Sequence, residues 1–271
     1  MNILAPDKRA QILNCLVEGC SMRSTTRLTG AAKKTVERLL VSAGTACAEY
    51  HDRNVRNLAT KNVQLDEIWA FVGAKQANTG IMLRDAGVRG DMWTWVAIDA
   101  DSKLIASWYT GGRNAGAAFY FLDDLQSRLA NRVQLSTDGH AAYVNMVPAA
   151  FGGLVDFAQI IKIYDRRSCG KYSQPACVGV EKKIRTGTPD ISLISTSYAE
   201  RQNLTIRMSC RRFTRLTNGF SKKVENHRHA LAIHFMHYNF CRIHQTLRVT
   251  PAMEAGLTDH VWDLEEIIGL L

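Results

Sequence analysis

Residues 63–72 read Val-Gln-Leu-Asp-Glu-Ile-Trp-Ala-Phe-Val, an apolar run with two acids at its centre. Its length and its Val, Ile, Trp and Phe content predict a buried strand. Apolar runs at 92–98 and 104–109, joined by Asp99-Ala100-Asp101-Ser102-Lys103, extend it to a three-strand antiparallel meander. The acids of that joint fit turn chemistry, because an Asp side chain bonds the local backbone. Asn114 predicts the cap of a helix reaching about residue 131, with Ala118, Phe121, Leu122, Leu125 and Leu129 on one face. A short strand ending at Asp138, a helix from 141 to about 147 and a strand over 155–161 complete the order. This order predicts an α/β fold, a ribonuclease H-like mixed sheet flanked by helices, with the Asp138 strand parallel to and beside the Asp66 strand.

Helical periodicity marks the flanks. Ile12, Leu13, Leu16 and Val17 share a face before Gly19, Ser21 is a cap for a second helix to Leu28, and Gly30 turns the chain. A third helix from about residue 32 aligns Val36, Leu39, Leu40 and Ala43. Three short helices with a glycine turn predict a small all-α helix-turn-helix domain over 1–45, with Lys33, Lys34, Thr35 and Arg38 outward toward phosphates and base edges. Residues 46–62 are polar and predict a linker, partly helical; 63–271 are expected to form the ribonuclease H-like domain. Residues 164–190 are expected to be an irregular basic loop carrying Arg166, Arg167, Lys171, Lys182, Lys183 and Arg185. A helix from Tyr198 aligns Glu200, Asn203, Arg207 and Arg211. A last long helix over 221–239 buries Leu231, Phe235 and Tyr238, and its histidines (227, 229, 234 and 237) fit packing or phosphate contact better than metal. The tail after Thr250 is expected to pack back as a short helix around Trp262 and Leu264.

Charge sharpens this picture. The chain of 271 residues carries +9, and residues 201–249 hold ten Lys/Arg against one Glu. Residues 1–62 are also basic, whereas 63–140 hold nine acids against seven bases. An acidic centre between basic flanks is the arrangement of a metal site beside polyanion-binding surfaces. The apolar runs are too short for a membrane span and no signal peptide opens the chain, so no membrane partner is expected. Seven irregularly spaced cysteines without a CxxC pair suit neither a zinc ribbon nor a disulfide framework, and fit a reduced, cytoplasmic setting.

A carboxylate inside an apolar strand costs several kcal/mol unless it is paired. A cation shared with other carboxylates meets that demand, and Asp138 and Glu200 are the candidates to join Asp66. Hard oxygen ligands suit two Mg²⁺ or Mn²⁺ ions, whose chemistry would be in-line attack on a DNA phosphodiester. His140 beside Asp138, and Arg201 and Asn203 beside Glu200, are candidate phosphate contacts, with Arg207 and Arg211 continuing the track of the DNA.

Leu65-Asp66-Glu67-Ile68-Trp69, Ser136-Thr137-Asp138-Gly139-His140-Ala141-Ala142-Tyr143, the run from Ser197 to Lys223 that opens SYAERQN, and the segment from Tyr238 to Pro251 resemble bacterial insertion-sequence transposases of the DDE type. The likeness spans about residues 63–265. It implies metal-dependent cutting of transposon ends and strand transfer into target DNA by Asp66, Asp138 and Glu200, and a dimer or larger assembly on double-stranded DNA. Many such proteins carry a cysteine-rich zinc module before the helix-turn-helix. These cysteines show no such pattern, so weaker end recognition, or an inactive copy, is the matching expectation. Two rival readings are a structure-specific nuclease of the same fold, which cuts without joining, and a DNA-binding regulator with an inactive core.

Overall fold

A computed structural model describes residues 4–82, 87–165 and 176–271. The apolar run around Asp66 forms β1 (Asn62–Val72), followed by β2 (Gly90–Asp99), β3 (Ile105–Gly111), β4 (Val133–Asp138), β5 (Val155–Asp165) and β6 (Ala176–Thr186). These make one mixed sheet of six strands in the order β3-β2-β1-β4-β5-β6. The meander β1-β2-β3 is antiparallel, with a short joint between β2 and β3. The pairs β1-β4 and β4-β5 are parallel, and each needs a helical crossover. Helix α4 (Ala115–Arg128) and helix α5 (Ala141–Phe151) supply them. The β1-β4 ladder pairs Asn62 with Gln134, Val63 with Leu135 and Gln64 with Ser136. Two more residues of the same register set Asp66 level with Asp138. An α/β sheet of this order, flanked by helices, is compatible with the ribonuclease H-like expectation.

Both faces of β1 are covered. Val63 and Leu65 join the larger core with Trp95, Phe121, Tyr143 and Phe157, beneath α4 and α5. Ile68 and Ala70 point the other way, into a core with Ala199, Ile206, Leu231 and Phe235. The latter residues come from α6 (Ser197–Ser209) and α7 (Val224–Met236). Asp66 shares parity with Ile68 and Glu67 with Leu65, so each acid enters a helix-covered layer.

The flanks depart from expectation in four places. Helices α1 (Pro6–Val17) and α2 (Met22–Thr29) fall where periodicity placed them, with Gly30 left-handed at φ 70° between α2 and the next helix. That next helix, α3 (Lys33–Asn54), runs unbroken past residue 45 and through half of the expected linker. Cys47, His51 and Val55 are buried at a spacing of four, so the segment continues the inward face of α3. A side chain at Gly44 would meet His229 Cβ at 2.4 Å, so glycine there lets α3 lie close against α7.

The second departure is β6. Residues 176–186 pair antiparallel with β5 as an edge strand instead of belonging to an irregular loop. Lys182, Lys183 and Arg185 therefore sit on a strand; Arg166, Arg167 and Lys171 lie outside the described residues. Third, α6 stops at Ser209 and Arg211 belongs to a separate 3₁₀ turn, Arg211–Phe213. Fourth, the last long helix is α7 followed by a π turn, His237–Cys241. In that turn the buried Asn239 accepts from the Ile105 N–H at 2.9 Å and donates to the Ile105 carbonyl at 3.0 Å, tying the start of β3 to the helical layer.

The acidic tail packs back as expected. After α8 (Pro251–Glu254), helix α9 (Leu264–Gly269) starts with an Asp263/Glu266 capping box, and Trp262 meets the edges of Tyr50 and Phe240. Among the described residues no helix is long and apolar enough to cross a membrane.

Candidate metal centre

At the carboxyl end of β4 the backbone leaves the sheet through Asp138 and Gly139. The turn is held in two ways. Asp138 Oδ1 accepts the His140 N–H at 2.9 Å, and the buried Gln159 of β5 donates to the carbonyls of Asp138 and His140 at 2.8 and 3.2 Å. His140 then caps α5 through Nδ1, which accepts the Ala142 N–H at 3.1 Å. These bonds fix the Asp138 carboxylate beside β1.

Carboxylate oxygens of Asp66, Glu67 and Asp138 lie within 4.8 Å of one another. Asp66 Oδ1 accepts the Glu67 N–H at 2.8 Å, and Oδ2 accepts Asn203 Nδ2 at 2.8 Å. Burial raises the Asp66 carboxyl to about 7; the Glu67 N–H opposes that rise, while the charges of Asp138 and Glu200 add to it. The Glu67 side chain is 1% exposed, and its Oε1 meets Arg113 Nη2 at 2.6 Å and Nε at 2.7 Å. Its Oε2 accepts the Tyr143 hydroxyl at 3.1 Å. Burial, then the charge of Asp138, raises Glu67 also to about 7 against the pull of Arg113. Burial and the same carboxylates hold the Tyr143 hydroxyl well above its usual range, so it stays a donor.

Sequence reasoning expected Glu200 as the third member; the structure has it at the border of the tight carboxylate cluster. The tight cluster contains Glu67, while Glu200 Oε1 is held by Lys162 Nζ at 2.6 Å and Thr196 Oγ1 at 2.7 Å. Glu200 and Lys162 nevertheless border the site, since both act electrostatically on Asp66. Burial lowers the Lys162 ammonium, but its hydrogen bond to Glu200 together with the charges of Glu200, Tyr164 and Asp66 raises it overall. Helix α6 is itself clamped to β1: Gln64 Oε1 accepts the Tyr198 and Ala199 N–H groups at 2.8 and 3.3 Å, and Asn203 reaches Asp66.

The other expected residues separate into two groups. His140, Asn203 and Arg207 come to the centre: His140 Nε2 stands 3.9 Å from Glu67 Oε1, and Arg207 acts electrostatically on Asp66. Arg201 is exposed on α6, whereas Arg211 has left that helix and its Nε is buried without a hydrogen bond. Lys33, Lys34, Thr35 and Arg38 occupy the first turns of α3, with Lys33 ion-paired to Glu37 at 3.5 Å and Lys34 and Arg38 exposed. Of the four histidines, His227 and His234 pack in the core, where burial first lowers each to about 3, so both are neutral; His229 and His237 are half-buried.

The donor set fits a hard divalent cation. It offers carboxylate oxygens only, and beside Asp66 the buried Asn203 Oδ1 has no hydrogen-bond partner. Burial first, and the neighbouring carboxylates after it, raise Asp66 and Glu67 to about 7, a penalty that a bound cation would relieve. No protein-family model and no curated protein sequence matches the chain.

Proposed function

We propose that the chain is a DNA transposase of the DDE type with a ribonuclease H-like catalytic core, cutting transposon ends and joining them to target DNA. The observation that carries this reading is the level placement of Asp66 and Asp138 on adjacent parallel strands, inside a carboxylate cluster 4.8 Å across. Ligands of open α/β sheets gather at the carboxyl ends of such strands. The motif resemblance supplies the reaction class, and the basic flanks suit a polyanionic substrate.

Asp66 and Asp138 would hold the cation pair, with Glu67 beside them. Bound Mg²⁺ or Mn²⁺ supplies charge neutralisation and Lewis acidity at the scissile phosphate. Arg113 and Tyr143 hold Glu67 in place from the opposite face of the sheet. His140 and Arg207 line the approach as neutral and cationic donors for phosphate oxygens. Glu200 stands on the rim, ready to enter once Lys162 is drawn to phosphate.

Labelled transposon ends and a target plasmid test the proposal with purified protein and Mg²⁺. Cut ends that become covalently joined to the plasmid, lost in Asp66→Asn and Asp138→Asn, are the expected outcome. Cutting without joining identifies the nuclease. DNA binding with no cutting at all identifies the regulator, which the Lys162 pairing of Glu200 favours over the nuclease.

A further inference from the structure

A second site lies at the other end of α6. Cys210 ends that helix about 15 Å along its axis from Glu200, at a rise of 1.5 Å per residue. There α1, α2 and the start of α3 face segment 210–222 and α7 across a cavity of about 550 Å³. The volume is in the range of small-molecule pockets.

Its lining is charged and one-sided. Arg23, Lys33, Arg211, Arg212 and Lys222 border it against a single carboxylate, Glu37. Lys33 takes Glu37 at 3.5 Å. Among the described residues Arg211, Arg212 and Lys222 form no ion pair with a carboxylate, and Arg211 Nε is buried with no hydrogen bond. The Lys222 ammonium rests 3.1 Å from the centroid of the Phe220 ring. Clustered cations without counter-charge repel one another, and an entering anion relieves them. Arginine forks match phosphate oxygens in geometry as well as charge.

The remaining wall asks for a different group. Met22, Phe220 and Ile233 offer an apolar surface, and into the same cavity faces His234, fully buried with neither ring nitrogen hydrogen-bonded. Burial, followed by the charges of His237 and Arg242, keeps that imidazole neutral, so it holds one unused donor and one unused acceptor. An unsatisfied buried ring of this kind is what a heterocycle edge would complete.

We propose that this cavity is a nucleotide-binding site, with phosphate on Arg211, Arg212 and Lys222 and the base against Met22, Ile233 and His234. The site is separate from the carboxylate centre and does not depend on its assignment. Calorimetric titration of the full chain with AMP in EDTA tests it, because chelation prevents binding through divalent cations at Asp66 and Asp138. The expected result is saturable one-to-one binding with Kd below about 1 mM, and adenosine and inorganic phosphate each weaker by about tenfold or more. Arg212→Ala and Lys222→Ala should each weaken AMP by about tenfold, and His234→Leu should erode the preference for AMP over phosphate. Lys222→Ala should fold normally, since in the free protein that side chain is exposed and rests on the Phe220 ring. Absence of saturable binding, equal affinity for AMP and phosphate, or unchanged affinity in both cation variants with native circular dichroism would overturn the proposal.

Discussion

Asp66 is ordinary in type and unusual in place. Its carboxyl is raised to about 7 chiefly by burial, so folding favours the protonated form. A group of that kind stabilises the fold fully below its unfolded value near 4, and the contribution is lost as pH climbs through about 7. Asp66→Asn removes the penalty while keeping the shape. Urea unfolding at pH 8 should show a gain on the order of 2 kcal/mol for the variant, vanishing below about pH 4, together with loss of metal-dependent cutting. Arg113→Ala should act in the opposite sense. It strands Glu67, whose side chain is 1% exposed, and should cost about 3 kcal/mol in the same assay, while Glu67→Gln with Arg113→Ala recovers most of it. Asp66 and Asp138 were legible in the sequence because each is a charge at the end or centre of an apolar run. Glu67 was not. Strand alternation sends it to the face opposite Asp66, and only the packing of α4 and α5 over that face, with Arg113 and Tyr143, makes it a member of the site.

Helix α6 brings Asn203 and Glu200 to β1 because Gln64 caps it from the neighbouring layer and Asn203 grips Asp66. Gln64→Leu leaves two N–H groups without their acceptor and should cost on the order of 1–2 kcal/mol in stability. The catalytic rate should fall further than that loss explains, with DNA affinity unchanged; equal decline in rate and binding would show that the clamp only supports the fold. Strand order, the meander and the crossover helices were readable from period and turn residues, since long apolar elements carry strong signals. Edges and ends were less so. The edge strand β6 is exposed on both faces, so its Lys and Arg positions showed no alternation to read. Residues 46–54 looked like a linker because only Cys47 and His51 turn inward, and a buried His reads as polar until its Nε2 is seen 3.1 Å from the Ile105 carbonyl. Arg211 looked collinear with Glu200, yet α6 ends at Ser209 with extended backbone at Cys210 and no glycine or proline to announce it.

Three buried histidines contribute to how the entire chain responds to acid. His51, His227 and His234 are each lowered to about 3, first by burial. Their unfolded forms bind protons below about 6.5, so the stability they lend is present above that pH and is lost as pH falls toward about 3. Asp66 and Glu67 act oppositely between about 4 and 7, so the two sets partly offset there; below about 4 the carboxyls of Asp124, Asp156, Asp190 and Asp259, each held below its usual range, add to the histidines. Unfolding near pH 4 should take up on the order of three protons, measurable as the slope of stability against pH. On the DNA side, the basic blocks at 1–62 and 201–249 flank the acidic core in sequence. If they neutralise six to ten phosphates, affinity should drop on the order of 10³–10⁵ between 50 and 200 mM salt. The most direct test remains calorimetric titration of Mn²⁺ into the free protein at pH 8, repeated with Asp66→Asn and Asp138→Asn. Saturable binding that disappears in both variants, and that releases protons when the titration is repeated at pH 7, is the expected result. Wild-type Mn²⁺ affinity in either variant, or no binding at millimolar Mn²⁺, would contradict a carboxylate metal centre.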